Sequence, residues 1–400
     1  MIEVQNEIGA LYKENFGQLV SLLLLRFPGL SIESAEDAVQ DAFAEASALW
    51  PRSGIPQNRA GWLYTVSKNR SINQSKRSKR NEALSSAVEV PVHIEEVAEH
   101  HLKDARLQML LACCNNHLAP QTQVILALKY VANLRVKNIA LQLGEKEDAI
   151  EKMLYRARQK IKEESLVLSS ATEYYKKERL SIVHKVIYLI FSEGYKHSGC
   201  QIKQGEELCE EALLLNKYLF DSPLCNAETK ALQSLLLFNI ARFPARFDAE
   251  GKVIELEHQA RHLWNREMID LAKQFLHDSK APTFSPYHLE AAIACVHCSA
   301  SRFEETNWAD ICKYYEVLLT IYPSPFAEIN YATSLLYTRQ FEKAYRILDG
   351  LNRNPWFNRS HILNTALGKY FEQLGNKEKA RVFFEKAAEI VRIPGSRSSL

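Results

Sequence analysis

The sequence predicts an all-α protein, and three observations carry that prediction. Only 14 glycines and 13 prolines interrupt 400 residues. No run of alternating Val, Ile and Thr, the mark of a half-buried strand, occurs anywhere. Apolar residues instead recur three and four positions apart through almost the whole chain, the period of a helix with one buried face. A hydrophobic content of 46% is enough to fill large cores, so two or three domains are expected. The formal net charge of +2 conceals local clustering of basic residues. The longest apolar run near the N-terminus, Leu19–Leu25, is too short to span a bilayer. No cleavable leader pattern accompanies it, so no membrane attachment is expected. Eight cysteines scattered through helical patterns read as reduced thiols of a cytoplasmic protein.

Residues 1–80 form the first predicted domain. Leu11, Phe16, Leu19, Leu22 and Leu23 make the apolar stripe of an opening helix. Ser31–Trp50 carries a second, with Ala35, Ala38, Val39, Ala42, Phe43 and Ala46 turned inward. Its other side shows Glu36, Asp37, Gln40 and Asp41. A loop with two prolines, Pro51–Asn58, follows. A third helix then places Trp62, Leu63, Val66 and Ile72 in the core and leaves Tyr64, Lys68, Asn69, Arg70 and Asn73 available. Between Lys68 and Arg80 there are six basic residues, Lys76 and Arg77 among them, and no acid. Stacking faces, amides and cations on one helix are what unpaired bases and phosphates require. A charge run alone is more often a solvated face.

Residues 81–104 change character. Glu82, Glu89, Glu95, Glu96, Glu99 and Asp104 stand against the single base Lys103, and VEVPVHIEE has no helical stripe. This stretch reads as an extended linker.

Residues 105–165 make the second domain. Leu107–Leu118 is its first helix, where the vicinal Cys113 and Cys114 suit small core positions better than a redox pair. Leu134–Lys162 then reads as two short helices around a sharp turn at Gly144. Ile139, Ala140 and Leu143 line one helix; Ala149, Ile150, Leu154 and Ile161 line the other. This is a helix-turn-helix, whose second helix can enter the DNA major groove. Nine Lys or Arg against four acids between Lys129 and Lys162 favour phosphate contact, and late residues such as Arg158 and Lys160 suit it best.

Taken in order, EDAVQDAF (36–43), GWLYTVSKNRSIN (61–73) with its basic tail, and IALQLGEKEDAIEKMLYRARQKI (139–161) resemble bacterial extracytoplasmic-function sigma factors. The resemblance covers roughly Asn6 to Glu164. It implies a sigma region 2 domain, a linker lying in the polymerase channel, and a sigma region 4 domain. It also implies two partners, core RNA polymerase (its clamp helices and flap) and promoter DNA. By that resemblance Asp37, Gln40 and Asp41 contact the polymerase. Tyr64, Lys68, Asn69, Arg70, Asn73, Lys76 and Arg77 serve the minus-ten element. Lys146, Glu147, Lys152, Arg156, Arg158 and Lys160 serve the minus-thirty-five element. Glu151 and Met153 depart from the basic or hydroxyl residues more usual in that family.

Residues 166–400 extend the chain well beyond a plain member of that group. Helical patterns run over Arg179–Tyr195, Gln204–Leu219, Ala227–Arg242 and Ile254–Leu276, then in pairs. Leu367, Gly368, Phe371, Gly375, Ala380, Phe384 and Ala387 have tetratricopeptide (TPR) spacing. Ala332, Leu335, Ala344 and Leu348 form a weaker copy, and Trp308, Tyr315, Leu318 and Pro323 a further half. Such units stack into an α-solenoid whose concave face can take a protein partner. RLSIVHKVIYLIFSEGY (179–195) and RFPARFDAEGKVIELEHQARHLW (242–264) do not fit the period and resemble the extension of a sigma subgroup fused to these repeats.

No catalytic constellation is present, so no enzyme and no cofactor are expected. Cys295 and Cys298 form a CxxC around His297 but have no second ligand pair, and zinc needs four ligands. His258 and His262 lack the Glu of a metalloprotease motif. Glu36, Asp37 and Asp41 have neither a His beside them nor a Gly-rich phosphate loop. Two functions remain. One is a promoter-specificity subunit of RNA polymerase with its own repeat domain. The other is a TPR-scaffold helix-turn-helix regulator that acts without the polymerase, and such a regulator has no need of the EDAVQDAF helix.

Overall fold

The computed structural model describes residues 2–27, 30–80, 107, 109–111, 113, 114, 117–143, 145–163, 177–196, 202–354 and 357–392. The predicted linker at 81–104 and the turn residue Gly144 lie outside these. The described residues are helical and contain no strand, only an isolated bridge between Phe247 and Val253. No described helix is long and apolar enough to cross a membrane. The chain divides into two compact units, Met1–Ile190 and Phe191–Leu400.

The first unit opens with α1 (Ile2–Arg26), α2 (Ile32–Ser53) and α3 (Arg59–Arg80), each packed on the other two. Helix α2 starts where the Ser31 hydroxyl accepts the Ser34 N–H at 3.1 Å, with Glu33 complementing the positive end of the helix. Its alanine-rich stripe is buried as expected. It runs on through Pro51 to Ser53, so the expected loop begins only at Gly54. A proline that near the end forfeits one hydrogen bond without breaking the final turn. Asn58 caps α3 by accepting the Gly61 N–H at 2.8 Å. Trp50 and Trp62 meet edge to face at 5.4 Å and close the far end of the group.

Three further helices follow: α4 (Pro120–Tyr130), α5 (Val136–Leu143) and α6 (Glu147–Glu163). They pack mutually, with Ile139, Ala140, Ile150, Leu154 and Ala157 buried between them. Helix α1 also packs on α4, where Gly17 lies against the Tyr130 carbonyl so closely that a Cβ would stand 2.8 Å from it. Of the helix predicted over Leu107–Leu118, residues 107, 109–111 and 113 are helical, whereas 114, 117 and 118 are bend or turn, so the predicted end at Leu118 is too late. Cys113 and Cys114 are both buried, and burial pushes the Cys113 thiol up, as befits core residues.

The division between the units falls within α7 (Lys177–Lys196). In the second unit α8 (Ile202–Phe220) packs on α9 (Ala227–Ile240), which is buried on nearly every face. A reciprocal cap between Asn226 and Thr229 starts α9. Its buried polar groups are answered: Asn216 bridges Gln233 at 2.7 Å, and Ser234 donates to the Ala272 carbonyl at 2.7 Å.

The helix expected over Ile254–Leu276 is not formed as such. Two short 3-10 turns, Leu256–His258 and Arg261–Leu263, precede α10 (Arg266–Asp278), which begins at the cap Asn265. Tertiary hydrogen bonds claim the backbone groups that a helix would have used. Ile254 N–H donates to Arg246 at 2.7 Å, the Gln259 amide to Ile254 at 2.9 Å, and Asn265 N–H to Ala241 at 2.9 Å.

The remainder is α11 (Pro286–Ser299), α12 (Trp308–Ile321), α13 (Pro325–Tyr337), α14 (Phe341–Asn352), α15 (His361–Gln373) and α16 (Lys377–Arg392). Each of these packs on its successor, and α13 packs on α15 as well. Ala332, Ala344 and Ala380 are buried at the crossings. Gly368 faces the Phe384 ring so tightly that a Cβ would meet it at 2.5 Å. The turn after α15 closes through Gly375, at φ 75°, with Asn376 N–H donating to the Phe371 carbonyl at 2.8 Å.

Candidate nucleic-acid interface

Helix α6 sorts its side chains by its period. Ile150, Leu154 and Ala157 bind it to α4 and α5, which leaves the opposite face outward. That face presents Glu151, Lys152, Tyr155 and Arg156, with Lys146, Glu147 and Asp148 around the N-terminal end. Tyr155, 62% exposed, is the largest apolar group on this surface and was missed in the sequence. Its place between Lys152 and Arg156, one helical turn apart, was the available signal. Cations flanking an exposed ring on the outward face of a helix can meet phosphates and base edges together.

The late basic residues stand differently. Lys160 donates to the His117 carbonyl at 2.6 Å. Arg158, 26% exposed, lies 4.0 Å from Glu33 at the start of α2. Both are engaged within the first unit, whereas Lys152 and Arg156 face outward.

On α2, Asp37, Gln40 and Asp41 are all exposed along one side. Glu36 beside them is half-buried. Burial pushes its carboxyl above the ordinary range, with Arg158 and Lys129 opposing that shift and Glu33 and Asp37 adding to it.

The α3 residues divide. Arg70 is exposed and bridges Glu45 at 2.9 Å, a contact that holds its guanidinium in the charged form. Lys68 and Asn69 are half-buried. Tyr64, expected on the available side, is 1% exposed. Because α3 packs against both α1 and α2, its buried face is wider than a single stripe, and the ring falls inside it. Its proposed stacking role is therefore corrected: Tyr64 is a core residue in this conformation. The side chains of Asn73, Lys76 and Arg77 lie outside the described ones.

In the second unit Glu255, Glu257 and His258 bring possible metal-ligand atoms within 4.8 Å of one another. Their carboxylates are already engaged. Lys369 donates to Glu255 and Glu257 at 2.8 and 3.1 Å, and the Tyr337 hydroxyl donates to Glu257 at 3.1 Å. The group therefore clasps the irregular segment onto α13 and α15. Cys295 is half-buried and Cys298 buried, and burial pushes both thiols up, the latter to about 11.

Residues 108–161 match the family described as sigma-70, region 4. Residues 179–280 match a family of unknown function, DUF6596. An uncharacterized protein of Rhizobium meliloti is 33% identical over 381 residues, covering 92% of this chain and 88% of the relative. No solved structure matches. A sigma-70 region 4 domain is a DNA-binding module of transcription and implies promoter DNA and RNA polymerase as partners; α4, α5 and α6 lie within the match. The chain thus belongs to one family with that Rhizobium meliloti protein, and it joins a sigma-70 region 4 domain to a domain of unknown function.

Proposed function

We propose that this protein is a sigma factor of the extracytoplasmic-function type, working in the cytoplasm without chemistry of its own. In this reading residues 1–80 are region 2, 81–104 the linker and 105–165 region 4. Residues 166–400 are a regulatory extension that ends in TPR-like repeats. The observation that carries it is a pairing within one unit. The exposed row Asp37, Gln40 and Asp41 on α2 accompanies a region 4 helix that turns Lys152, Tyr155 and Arg156 outward. An independent regulator needs the second surface and has no use for the first. Asn69 and Arg70 on α3 would meet the minus-ten element. The recurrence of one helix-pair geometry toward the C-terminus supports the TPR-like reading of the extension.

The test is capture of purified core RNA polymerase by the full chain. Asp37 and Asp41 would face basic residues, so reversing both to Lys should abolish capture, because like charges across an interface repel. Equal capture by the double variant would remove the docking assignment. Binding to DNA with no capture by wild type would favour the regulator.

A further inference from the structure

The second unit sets two arginines, Arg242 and Arg261, against the Trp264 ring, with a third, Arg246, within reach of Arg242's charge, all within the match to the family of unknown function. Arg246 and Arg261 are each 7% exposed, Trp264 is 2% exposed, and Arg242 is half-buried. The Arg261 and Arg242 guanidinium carbons lie 4.8 and 5.8 Å from the Trp264 ring centroid. No ion pair joins any of the three arginines to a carboxylate of the described residues. The acid that contributes to the field at Arg261, Glu304, is exposed.

Two of the arginines have structural work. Arg246 donates to the Tyr195 carbonyl at 2.5 Å and stacks on that ring. Arg261 donates to the His297 and Ala300 carbonyls at 2.6 and 2.8 Å, answering the end of α11. The Arg242 guanidinium, which also lies over the Trp264 ring, answers no backbone carbonyl of the described residues. Its Nε reaches Gln259 at a long 3.3 Å, and its charge opposes those of Arg246 and Arg261. Buried donors are also left over: Arg246 Nε, one terminal nitrogen of Arg261 and Trp264 Nε1 have no acceptor. Gathered cations and unanswered N–H groups are costly unless an acceptor-rich, negatively charged group meets them.

We propose that Arg242, Arg261 and Trp264 form a binding site for a small oxyanion, a phosphate or carboxylate group carried by a small molecule. Arg242 is the solvent-reaching member and supplies the charge that the fold alone does not need. The planar guanidinium matches such oxygens in two-point geometry. This site is independent of how the protein engages polymerase.

The experiment is calorimetric titration of the full chain with inorganic phosphate, and separately with citrate, at ionic strength held constant with chloride. Saturable binding of at least one anion is expected at concentrations up to about 10 mM. Arg242→Gln should weaken it at least about tenfold, while Arg242→Lys keeps part of it and Arg302→Gln, on an exposed side chain, leaves it unchanged. Without anion, Arg242→Gln should melt close to wild type, the lost Gln259 hydrogen bond and Trp264 contact being offset by the relief of charge repulsion. No saturable heat with either anion, or equal binding by Arg242→Gln, overturns the proposal. An anion-free variant that melts lower by more than about 10 °C would instead make Arg242 a structural residue and overturn it too.

Discussion

Arg339 and Gly375 hold the same left-handed turn, thirty-six residues apart, at φ 59° and 75°. Each is followed by the same closing bond: Gln340 N–H to the Leu335 carbonyl at 2.9 Å, and Asn376 N–H to Phe371 at 2.8 Å. One position carries the residue that this conformation favours, and the other carries a side chain that pays for it in strain. Arg339→Gly is therefore expected to stabilise the second unit by about 0.5–1 kcal/mol, the left-handed penalty less glycine's greater entropy loss. Gly375→Ala, where a Cβ would meet nothing within 4 Å, should cost about 1 kcal/mol from φ alone. Urea midpoints decide both; a less stable Arg339→Gly would show that the arginine side chain holds the turn.

Tyr64 and Asn69 share α3 but should fail in different ways. Tyr64→Ala empties a buried site and is expected to destabilise the first unit by about 3 kcal/mol. Asn69→Ala should leave the melting temperature in place and impair promoter opening, read by permanganate reactivity of unpaired thymines. Unchanged opening in the Asn69 variant would remove α3 from the minus-ten assignment.

Arg158 and Glu33 form a weak, partly exposed pair, the kind whose removal changes stability by less than about 1 kcal/mol. Glu33→Gln should therefore barely move the denaturation midpoint. Lys152→Ala or Arg156→Ala, on the outward face, should lower DNA affinity and reduce the magnitude of the salt slope by about 1 each. Arg158→Ala should do less than either. Anisotropy titrations across a salt series check this, and an Arg158 effect exceeding that of Arg156 would reverse the assignment of the DNA face.

His297 links stability to pH. Burial first, then Arg242 and Arg261, push its imidazole down to about 3. An unfolded histidine titrates near 6.5, so between those values the unfolded chain binds a proton that the native chain does not. Stability from this group is thus present above about pH 6.5 and falls away as the pH drops toward 3. Burial lowers His288 and His361 in the same direction. His297→Gln is expected to narrow the gap between urea midpoints at about pH 7 and pH 5. An unchanged gap would assign the acid sensitivity elsewhere.

Much of this was legible because burial leaves a period in the sequence. The stripe of α2, the helix-turn-helix contacts among Ile139, Ala140, Ile150 and Leu154, and the small residues at 332, 344, 368 and 380 all follow from helical spacing. Tyr64 was not legible, because a helix packed on two neighbours buries more than one stripe, and no single-helix pattern records that. The segment over 251–265 has helical composition, yet its backbone groups bond to Ala241 and Arg246, partners distant enough in sequence to leave no local trace. The engagement of Lys160 with the His117 carbonyl was hidden for the same reason. The arginine cluster escaped notice because Arg242, Arg246 and Arg261 form a group only once that irregular segment folds back.

As a sigma factor of the proposed kind, this chain would give core RNA polymerase a promoter preference. That role is tested most directly by transcription from a pool of genomic fragments with core polymerase, in the presence and absence of the purified full-length protein, followed by mapping of RNA 5′ ends. Discrete start sites should appear only with the protein and disappear with the Asp37→Lys, Asp41→Lys double variant. Start sites no different from those of core polymerase alone, from protein that still binds DNA, would contradict it.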